Sequence, residues 1–131
     1  MASLVVVDSD LLIDFLRGRG EGVALVRALI TTHRLRFTAV TAFELRLGTT
    51  YLAQRDLTMR ILRSRTLPLD LAAGLRAGGI HADLLAKGRS IGLADALQAG
   101  ICLRHGLPFA TRNRNHFERI PQLELIDLTS I

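Results

Sequence analysis

The chain has 131 residues, which is enough for one domain with a core of its own, and we expect residues 1–131 to form that single domain. Hydrophobic residues make up 49% of the chain, yet no apolar run approaches the roughly 20 residues of a membrane span. We therefore expect a cytoplasmic protein without membrane contact. The formal net charge is +5, which favours contact with nucleic acid.

Arginine dominates the basic residues, since only Lys87 among the 17 is a lysine. The guanidinium group binds phosphate through a planar, bidentate fork. An arginine excess is equally typical of a GC-rich genome, so the ratio alone does not establish phosphate binding. The single cysteine, Cys102, excludes an internal disulfide and is interpreted as a buried thiol.

Strands and helices alternate along the chain, a pattern that predicts a three-layer α/β/α sandwich around a parallel sheet. The first strand is a continuous, mostly β-branched run, typical of a strand buried on both faces. In chain order, the predicted elements are a strand at Ser3–Val7, helices at Leu11–Arg17 and Glu21–His33, a strand at Leu35–Thr38, helices at Ala42–Gln54 and Leu57–Arg63, a strand at Thr66–Leu69, helices at Leu71–Lys87 and Leu93–His105, a strand at Pro108–Thr111, a helical turn at His116–Arg119 and a strand at Leu123–Leu128.

Four of these helices follow a side chain that is suited to cap a helix N-terminus. The predicted caps are Asp10, Thr41, Asp56 and Asp70. The spacing Thr41-x-x-Glu44 also matches a capping box, in which Glu44 bonds back to the Thr41 backbone N–H. This structural role competes with any functional role of Glu44.

Four polar side chains stand where a predicted strand ends or a helix begins, namely Asp8, Glu44, Asp95 and Asn113. In an open α/β sheet, ligands bind beyond the carboxyl ends of the strands, so we expect these four to meet at one site. A cluster of carboxylates is costly unless positive charge lies among them. The pattern therefore predicts a divalent-metal site on a basic chain, a combination that suits a polyanionic substrate.

Each of the four residues also has a structural explanation. Asp8 is a candidate helix cap, although Asp10 is better placed for that role. Asp95 would interact favourably with a helix dipole, and Asn113 suits a turn. His116, beside Phe117, has two interpretations, a contact with substrate and an exposed loop residue, and we favour the exposed loop residue.

Four segments of the chain contain these residues in order. They are Val6-Val7-Asp8-Ser9-Asp10-Leu11-Leu12-Ile13-Asp14, Thr41-Ala42-Phe43-Glu44-Leu45, Gly92-Leu93-Ala94-Asp95-Ala96-Leu97 and Thr111-Arg112-Asn113-Arg114-Asn115-His116-Phe117. Together they resemble the signature segments of PIN-domain ribonucleases, and their order and the short chain resemble the VapC toxins of bacterial toxin–antitoxin pairs. The resemblance spans residues 4–128.

The resemblance implies a five-stranded parallel sheet with the acidic site at its carboxyl edge. Asp8, Glu44 and Asp95 match the acidic core of the family, and Asn113 falls where the family has Asp or Asn. It further implies an endoribonuclease that uses Mg²⁺ or Mn²⁺, forms a homodimer and is silenced by a cognate VapB-like antitoxin in a heterotetramer or larger complex. Asn rather than Asp at position 113 argues against a fully occupied second metal position.

The corresponding mechanism is metal-assisted attack of water on an RNA phosphodiester. Asp8 and Asp95 are expected to hold the metal, Glu44 to orient the water or a second ion, and Asn113 to position a water molecule. Basic and hydroxyl side chains beside Asn113 are expected to bind the RNA backbone. These predicted substrate-binding residues are Thr111, Arg112 and Arg114.

Three other functions fit parts of the sequence. A haloacid-dehalogenase-like phosphatase would use Asp8-Ser9-Asp10 after a strand, but its downstream lysine would have to be Lys87. A receiver domain would need a lysine after its fifth strand, which the chain lacks. A PIN-like module that binds RNA or protein without cutting would lack metal-dependent turnover.

The predicted helices between Ala42 and Arg63 intersperse apolar residues with arginine. The apolar residues exceed what one sheet face can cover, and they are Leu45, Leu47, Tyr51, Leu52, Leu57, Met59, Ile61 and Leu62. We therefore expect this region to form a homodimer interface and a groove for an apolar antitoxin helix.

Overall fold

The computed structural model describes residues 3–129, and a parallel four-stranded sheet lies at its centre. The strands are β1 (Val5–Val7), β2 (Leu35–Thr38), β3 (Thr66–Leu67) and β4 (Phe109–Ala110), in the spatial order β3-β2-β1-β4. The helices are α1 (Ser9–Arg17), α2 (Gly22–Thr31), α3 (Ala39–Leu47), α4 (Thr49–Ala53), α5 (Arg55–Leu62), α6 (Leu71–Ala86), α7 (Leu93–His105) and α8 (Arg114–Phe117). Within residues 3–129, none of these helices is long and apolar enough to cross a membrane.

Both faces of the sheet are covered by apolar side chains. Val5 and Val7 are fully buried in a cluster that includes residues of α1 and α2, whereas Val6 is fully buried in a cluster with residues of α6, α7 and α8. Successive side chains of a strand point to opposite faces of the sheet, so the two clusters lie on opposite sides of β1. The predicted three-layer α/β/α sandwich with a parallel sheet is confirmed.

The predicted number of five strands is wrong by one. The segment Leu123–Leu128 forms only a single parallel bridge, between Leu125 and Phe109. Two backbone hydrogen bonds hold it, from Phe109 N to Glu124 O and from Ile126 N to Phe109 O, both at 2.9 Å. β4 spans two residues, and only Phe109 turns its N–H and C=O toward this segment, so the pairing does not extend into a strand.

The start of α1 differs from the prediction. The Asp8 carboxylate accepts from the Ser9 N–H, so Asp8 is the cap and not Asp10. Because β1 ends directly before it, Asp8 has the extended backbone that a helix cap adopts. Of the remaining caps, Asp70 is confirmed, whereas Asp56 lies in the first turn of α5 and makes no capping bond.

α3 begins at Ala39, three residues earlier than predicted. Thr38 caps it, since the Thr38 hydroxyl accepts from the Thr41 N–H at 3.1 Å. Glu44 is therefore the sixth residue of the helix, beyond the position that a capping box requires. The structural role that competed with a functional role of Glu44 is excluded.

α6 runs unbroken through its glycines and packs closely against α7. A Cβ atom on Gly100 would lie 2.6 Å from the Cβ of Ala77 and 2.7 Å from the carbonyl oxygen of Ala73. No real side chain tolerates such contacts with backbone, so glycine is required at this position. This contact fixes the position of α7, which carries Asp95.

The apolar residues predicted for a partner surface are divided between core and solvent. Leu45, Ile61 and Leu62 are buried in the core, and for them the prediction is wrong. Leu47 and Leu52 are 74% and 68% exposed. Other large exposed apolar side chains lie outside the predicted set, and these are Phe43, Leu69, Leu71, Leu75, Leu85 and Leu93.

Candidate active site

The structure brings the four predicted site residues to the carboxyl edge of the sheet. Asp8 follows β1 directly, and Asn113 lies shortly after β4. Glu44 is on α3, which starts where β2 ends, and Asp95 is in the first turn of α7. Parallel strands direct the segments after β1, β2 and β4 to the same edge. α7 follows α6 and not a strand, and the contacts of Asp95 with Asn113 and His116 place its first turn at this edge. We call Asp8, Glu44 and Asp95 the acidic cleft.

Asp8 is partly buried and is held by neutral donors. Its Oδ1 accepts from the Ser9 N–H at 2.8 Å and from Gln98 Nε2 at 3.0 Å, and its Oδ2 accepts from Thr111 Oγ1 at 2.7 Å. Burial raises the pKa of Asp8, and repulsion from Asp10 adds to this, while the three hydrogen bonds oppose it. The carboxylate is therefore fixed in direction without a positive charge beside it.

The Ser9 hydroxyl joins Glu44 to Asp8. It lies 3.1 Å from Glu44 Oε1 and 3.3 Å from Asp8 Oδ1, so two acceptors share one proton. Burial is the main cause that raises the pKa of Glu44, and the charges of Asp8, Asp95 and Asp10 raise it further. The negative charges of both other acids of the cleft, Asp8 and Asp95, therefore act on Glu44.

Asp95 contacts a different set of side chains. Its Oδ2 lies 2.8 Å from His116 Nδ1 and 3.5 Å from Asn113 Nδ2, and these two nitrogens are 3.0 Å apart. The interpretation of His116 as an exposed loop residue is therefore wrong, because α8 directs it into the site. The buried Phe117 anchors α8 against the core.

Thr111 has a supporting role that the sequence did not indicate. Its side chain is fully buried, and its hydroxyl donates to Asp8 while it accepts from the Asn113 N–H at 3.0 Å. A buried and doubly bonded hydroxyl does not reach a substrate, so we replace the prediction of a substrate contact with this role. Thr111 orients Asp8 and fixes the turn that carries Asn113.

Ser9 and Gln98 also belong to the site and were not predicted. Ser9 sat within the predicted segment without an assigned function. Gln98 offered a signal, because it is a polar residue in the apolar stretch Ala96–Leu103 of a predicted helix. A polar side chain on a buried helix face needs hydrogen-bond partners, and Gln98 is only 2% exposed.

The two arginines that were predicted to bind RNA already have carboxylate partners. Arg112 Nη1 lies 2.5 Å from Asp14 Oδ2, and Arg112 Nε lies 3.8 Å from Glu21 Oε1. The hydrogen bond to Asp14 raises the pKa of Arg112 above its usual value. Arg114 Nε lies 3.3 Å from Glu118 Oε1. Both guanidinium groups remain partly exposed beside the cleft.

The chemistry of the acidic cleft suits a hard divalent cation. Carboxylate oxygens are the preferred ligands of Mg²⁺ and Mn²⁺, and no Arg or Lys in the described part of the chain forms an ion pair with Asp8, Glu44 or Asp95. Among residues 3–129, no three His, Cys, Asp or Glu side chains stand close enough together to enclose an ion. Binding one ion by all three carboxylates of the acidic cleft therefore requires a side-chain movement.

Comparisons with known proteins identify the family of the chain. The PIN domain family matches residues 5–123. The tRNA(fMet)-specific endonuclease VapC of Salmonella typhimurium is 32% identical over 103 residues, which are 75% of this chain and 78% of that protein.

Solved structures give the same result for the fold. DNA-bound VapBC from Salmonella typhimurium superposes with a TM-score of 0.80 at 26% identity, over 97% of this chain and 99% of the matched chain. FitAcB from Neisseria gonorrhoeae has a TM-score of 0.80 at 23% identity, over 98% and 100% of the two chains. These matches exclude the phosphatase and receiver-domain alternatives. The chain belongs to the PIN-domain family, and within that family it is of the VapC type.

Proposed function

We propose that the chain is a divalent-metal-dependent endoribonuclease that acts as the toxin of a toxin–antitoxin pair. The observation that supports this proposal most strongly is the acidic cleft on a PIN-domain chain, with Asp8 and Glu44 bridged by Ser9 and with Asp95 acting electrostatically on Glu44. The VapC relative from Salmonella typhimurium is named as specific for tRNA(fMet). We therefore take tRNA(fMet) as the first candidate substrate.

Asp8 and Asp95 are the residues we assign to hold Mg²⁺ or Mn²⁺, with Glu44 as the third carboxylate. When bound, the ion supplies positive charge to the phosphodiester and makes water a stronger nucleophile. Thr111, Ser9 and the Gln98 amide keep Asp8 directed into the cleft.

Glu44 is the residue we assign to orient the attacking water and accept its proton. Its raised pKa makes it a stronger base than an exposed carboxylate. Asn113 and His116 hold Asp95 on the other side of the cleft. No covalent intermediate with the protein is needed for this reaction.

Arg112 and Arg114 are assigned to the RNA backbone. The ion pair of Arg114 with Glu118 is exposed, and exposed pairs contribute only about 0–1 kcal/mol. The Asp14 side chain is only 16% exposed in its pair with Arg112, so that pair is held more firmly. A phosphate group offers the guanidinium the same bidentate geometry. Exchange of Glu118 for a phosphate partner is therefore inexpensive for Arg114, whereas Arg112 would bind phosphate while it stays paired with Asp14.

The proposed partners are a second copy of the chain and a VapB-like antitoxin, because similar solved structures are toxin–antitoxin complexes. We place the homodimer interface at an apolar cavity of about 340 Å³ beside α3 and α7. We prefer this surface to the α4–α5 region that the sequence predicted. Its lining residues are Ala39, Val40, Phe43, Leu69, Leu93, Ala94 and Leu97.

The acidic cleft, which has no paired Arg or Lys among the described residues, suits an inhibitory arginine of the antitoxin.

The proposal is tested with purified chain and end-labelled tRNA(fMet), with an elongator tRNA as the control substrate. We expect cleavage in Mg²⁺ or Mn²⁺, none in excess EDTA, and recovery when the metal is added back. A small protein encoded beside the gene should block the reaction. Undiminished cleavage in EDTA would contradict the metal assignment, whereas binding of RNA without cleavage would support the non-cutting module.

A further inference from the structure

The Gln98 side chain is a buried amide whose two ends face different partners. Nε2 donates to Asp8 Oδ1 at 3.0 Å. Oε1 accepts from Thr38 Oγ1 at 2.7 Å and from Thr41 Oγ1 at 3.3 Å. Gln98 and both threonines are almost completely excluded from solvent. The network links α7, the end of β2, the first turn of α3 and the acidic cleft.

The orientation of the amide follows from its surroundings. The Thr38 hydroxyl accepts from the Thr41 N–H at 3.1 Å, so its proton is free to donate to Gln98. A flipped amide would place Oε1 against the Asp8 carboxylate, where two acceptors would face each other without a proton. The arrangement therefore has one satisfied form, with the NH₂ group toward Asp8.

We infer that Gln98 is a positioning residue for Asp8, and that Thr38 and Thr41 hold Gln98 in place. This inference rests on the proposed function, in which Asp8 binds the metal. Because α3 also carries Glu44, the network fixes two acids of the cleft relative to each other. Buried networks of this kind are rigid when every group is satisfied and costly when one group is removed.

The first test is Gln98→Met, which keeps the length of the side chain and removes both the donor and the acceptor. The direct readout is Mn²⁺ affinity, measured by calorimetry or by electron paramagnetic resonance. We expect the affinity to fall by about 10–100-fold, as for other residues that orient metal ligands. In RNA cleavage, kcat should fall while KM for RNA stays within about twofold, because Gln98 is buried away from the substrate.

The second test removes the support of Gln98 without touching Asp8. The Thr41 side chain is fully buried, and its hydroxyl contacts Gln98. Thr41→Val should lower Mn²⁺ affinity by a smaller factor than Gln98→Met does. Thr41→Ser, which keeps the hydroxyl, should bind Mn²⁺ with wild-type affinity. In the Gln98→Met background, Thr41→Val should have no further effect, because the contact through which it acts is already absent.

Thr58→Val is the matched control. Thr58 in α5 is equally buried, and its hydroxyl donates to the carbonyl oxygen of Gln54, the residue before α5. This variant should therefore bind Mn²⁺ with wild-type affinity. A folded Gln98→Met variant with wild-type affinity would overturn the inference and leave the nuclease proposal intact. If Gln98→Met does not fold, unchanged affinity in Thr41→Val overturns it. If the wild-type protein binds Mn²⁺ but cuts no RNA, the proposed nuclease function is refuted. The inference about Gln98 is not, because the Mn²⁺ affinities of the variants still test it.

Discussion

The two sides of the acidic cleft are built in different ways. Asp8 follows a buried strand and is held by three neutral donors that belong to the core or the backbone. Asp95 lies on the other side, where its contacts are the partly exposed His116 and the exposed Asn113, the latter at 3.5 Å. Asp8 is therefore held by buried groups of the fold, whereas Asp95 is held by side chains at the surface.

This difference assigns separate tasks to the two sides. Under the proposed function, we expect the rigid Asp8 side to provide a fixed point for the metal ion and the more exposed Asp95 side, here called the mobile side, to adjust to it. Hydrogen bonds to a charged group contribute about 1.5–3 kcal/mol each, so moving Asp8 is costly. Substitutions on the rigid side should have larger effects on activity than substitutions on the mobile side.

The largest effect is expected for Asp8→Asn, with cleavage reduced at least about a thousandfold, because several kcal/mol of transition-state stabilisation are lost. The fold should persist, because removal of a charge whose pKa burial has raised offsets the hydrogen bond that is lost when one carboxylate oxygen becomes an NH₂ group. Single-turnover cleavage and calorimetric unfolding measure the two quantities. Asp83→Asn, on the exposed face of α6, is the control, and a folded Asp8→Asn variant with near wild-type rates would refute the assignment.

Glu44→Gln should be severe for activity, by roughly 100-fold or more if Glu44 is the base. Its effect on stability should be small, because Glu44 is not part of a capping box and Gln can still accept from the Ser9 hydroxyl. The measurements are cleavage rates and urea unfolding. Unchanged turnover in this variant would return Glu44 to a structural role.

Asn113→Ala tests the mobile side and should reduce activity by about 10–100-fold. The variant loses the amide contacts to Asp95 and His116, but it keeps all of the Asp8 contacts. Asn113→Asp should retain activity. A loss in Asn113→Ala as large as that in Asp8→Asn would contradict the division between a rigid and a mobile side.

The smallest effect is a pH dependence of stability in the metal-free protein. The pKa values of Asp8 and Glu44 are raised in the folded chain, so the folded chain holds these protons more tightly than the unfolded chain. Stability should therefore fall as the pH rises from the ordinary carboxyl values of about 4 through the raised values. Urea unfolding in EDTA should show this fall in the wild type relative to the double variant Asp8→Asn with Glu44→Gln. If the difference in unfolding free energy between the wild type and the double variant does not change with pH, this prediction is contradicted.

The sequence predicted the fold well where the local pattern alone decides the structure. β2 and α7 have the predicted bounds, Leu35–Thr38 and Leu93–His105. β2 alternates apolar with polar side chains, and α7 is an apolar helix between two glycines, so each pattern has few alternatives. The start of α3 was wrong, since Thr38 and Thr41 are both suitable caps and the choice depends on where β2 ends in the sheet. The fifth strand was wrong because β4 offers only Phe109 as a partner.

The candidate site was predicted in part. The order of the acids along the chain was enough to place Asp8, Glu44 and Asp95 at one edge of the sheet. The contact from Gln98 to Asp8 joins residues 90 positions apart, and no local pattern specifies it. The direction of the His116 side chain depends in the same way on how Phe117 packs into the core.

The most direct test of the account is a crystal structure of the wild-type chain with Mn²⁺, in which anomalous scattering locates the metal. We predict an ion in contact with Asp8 and Asp95, with the hydrogen bonds from Gln98 and Thr111 to Asp8 retained and with the Asp95 side chain moved. An ion that does not contact Asp8, or one whose binding breaks the Asp8 contacts and leaves Asp95 on His116, would contradict the account.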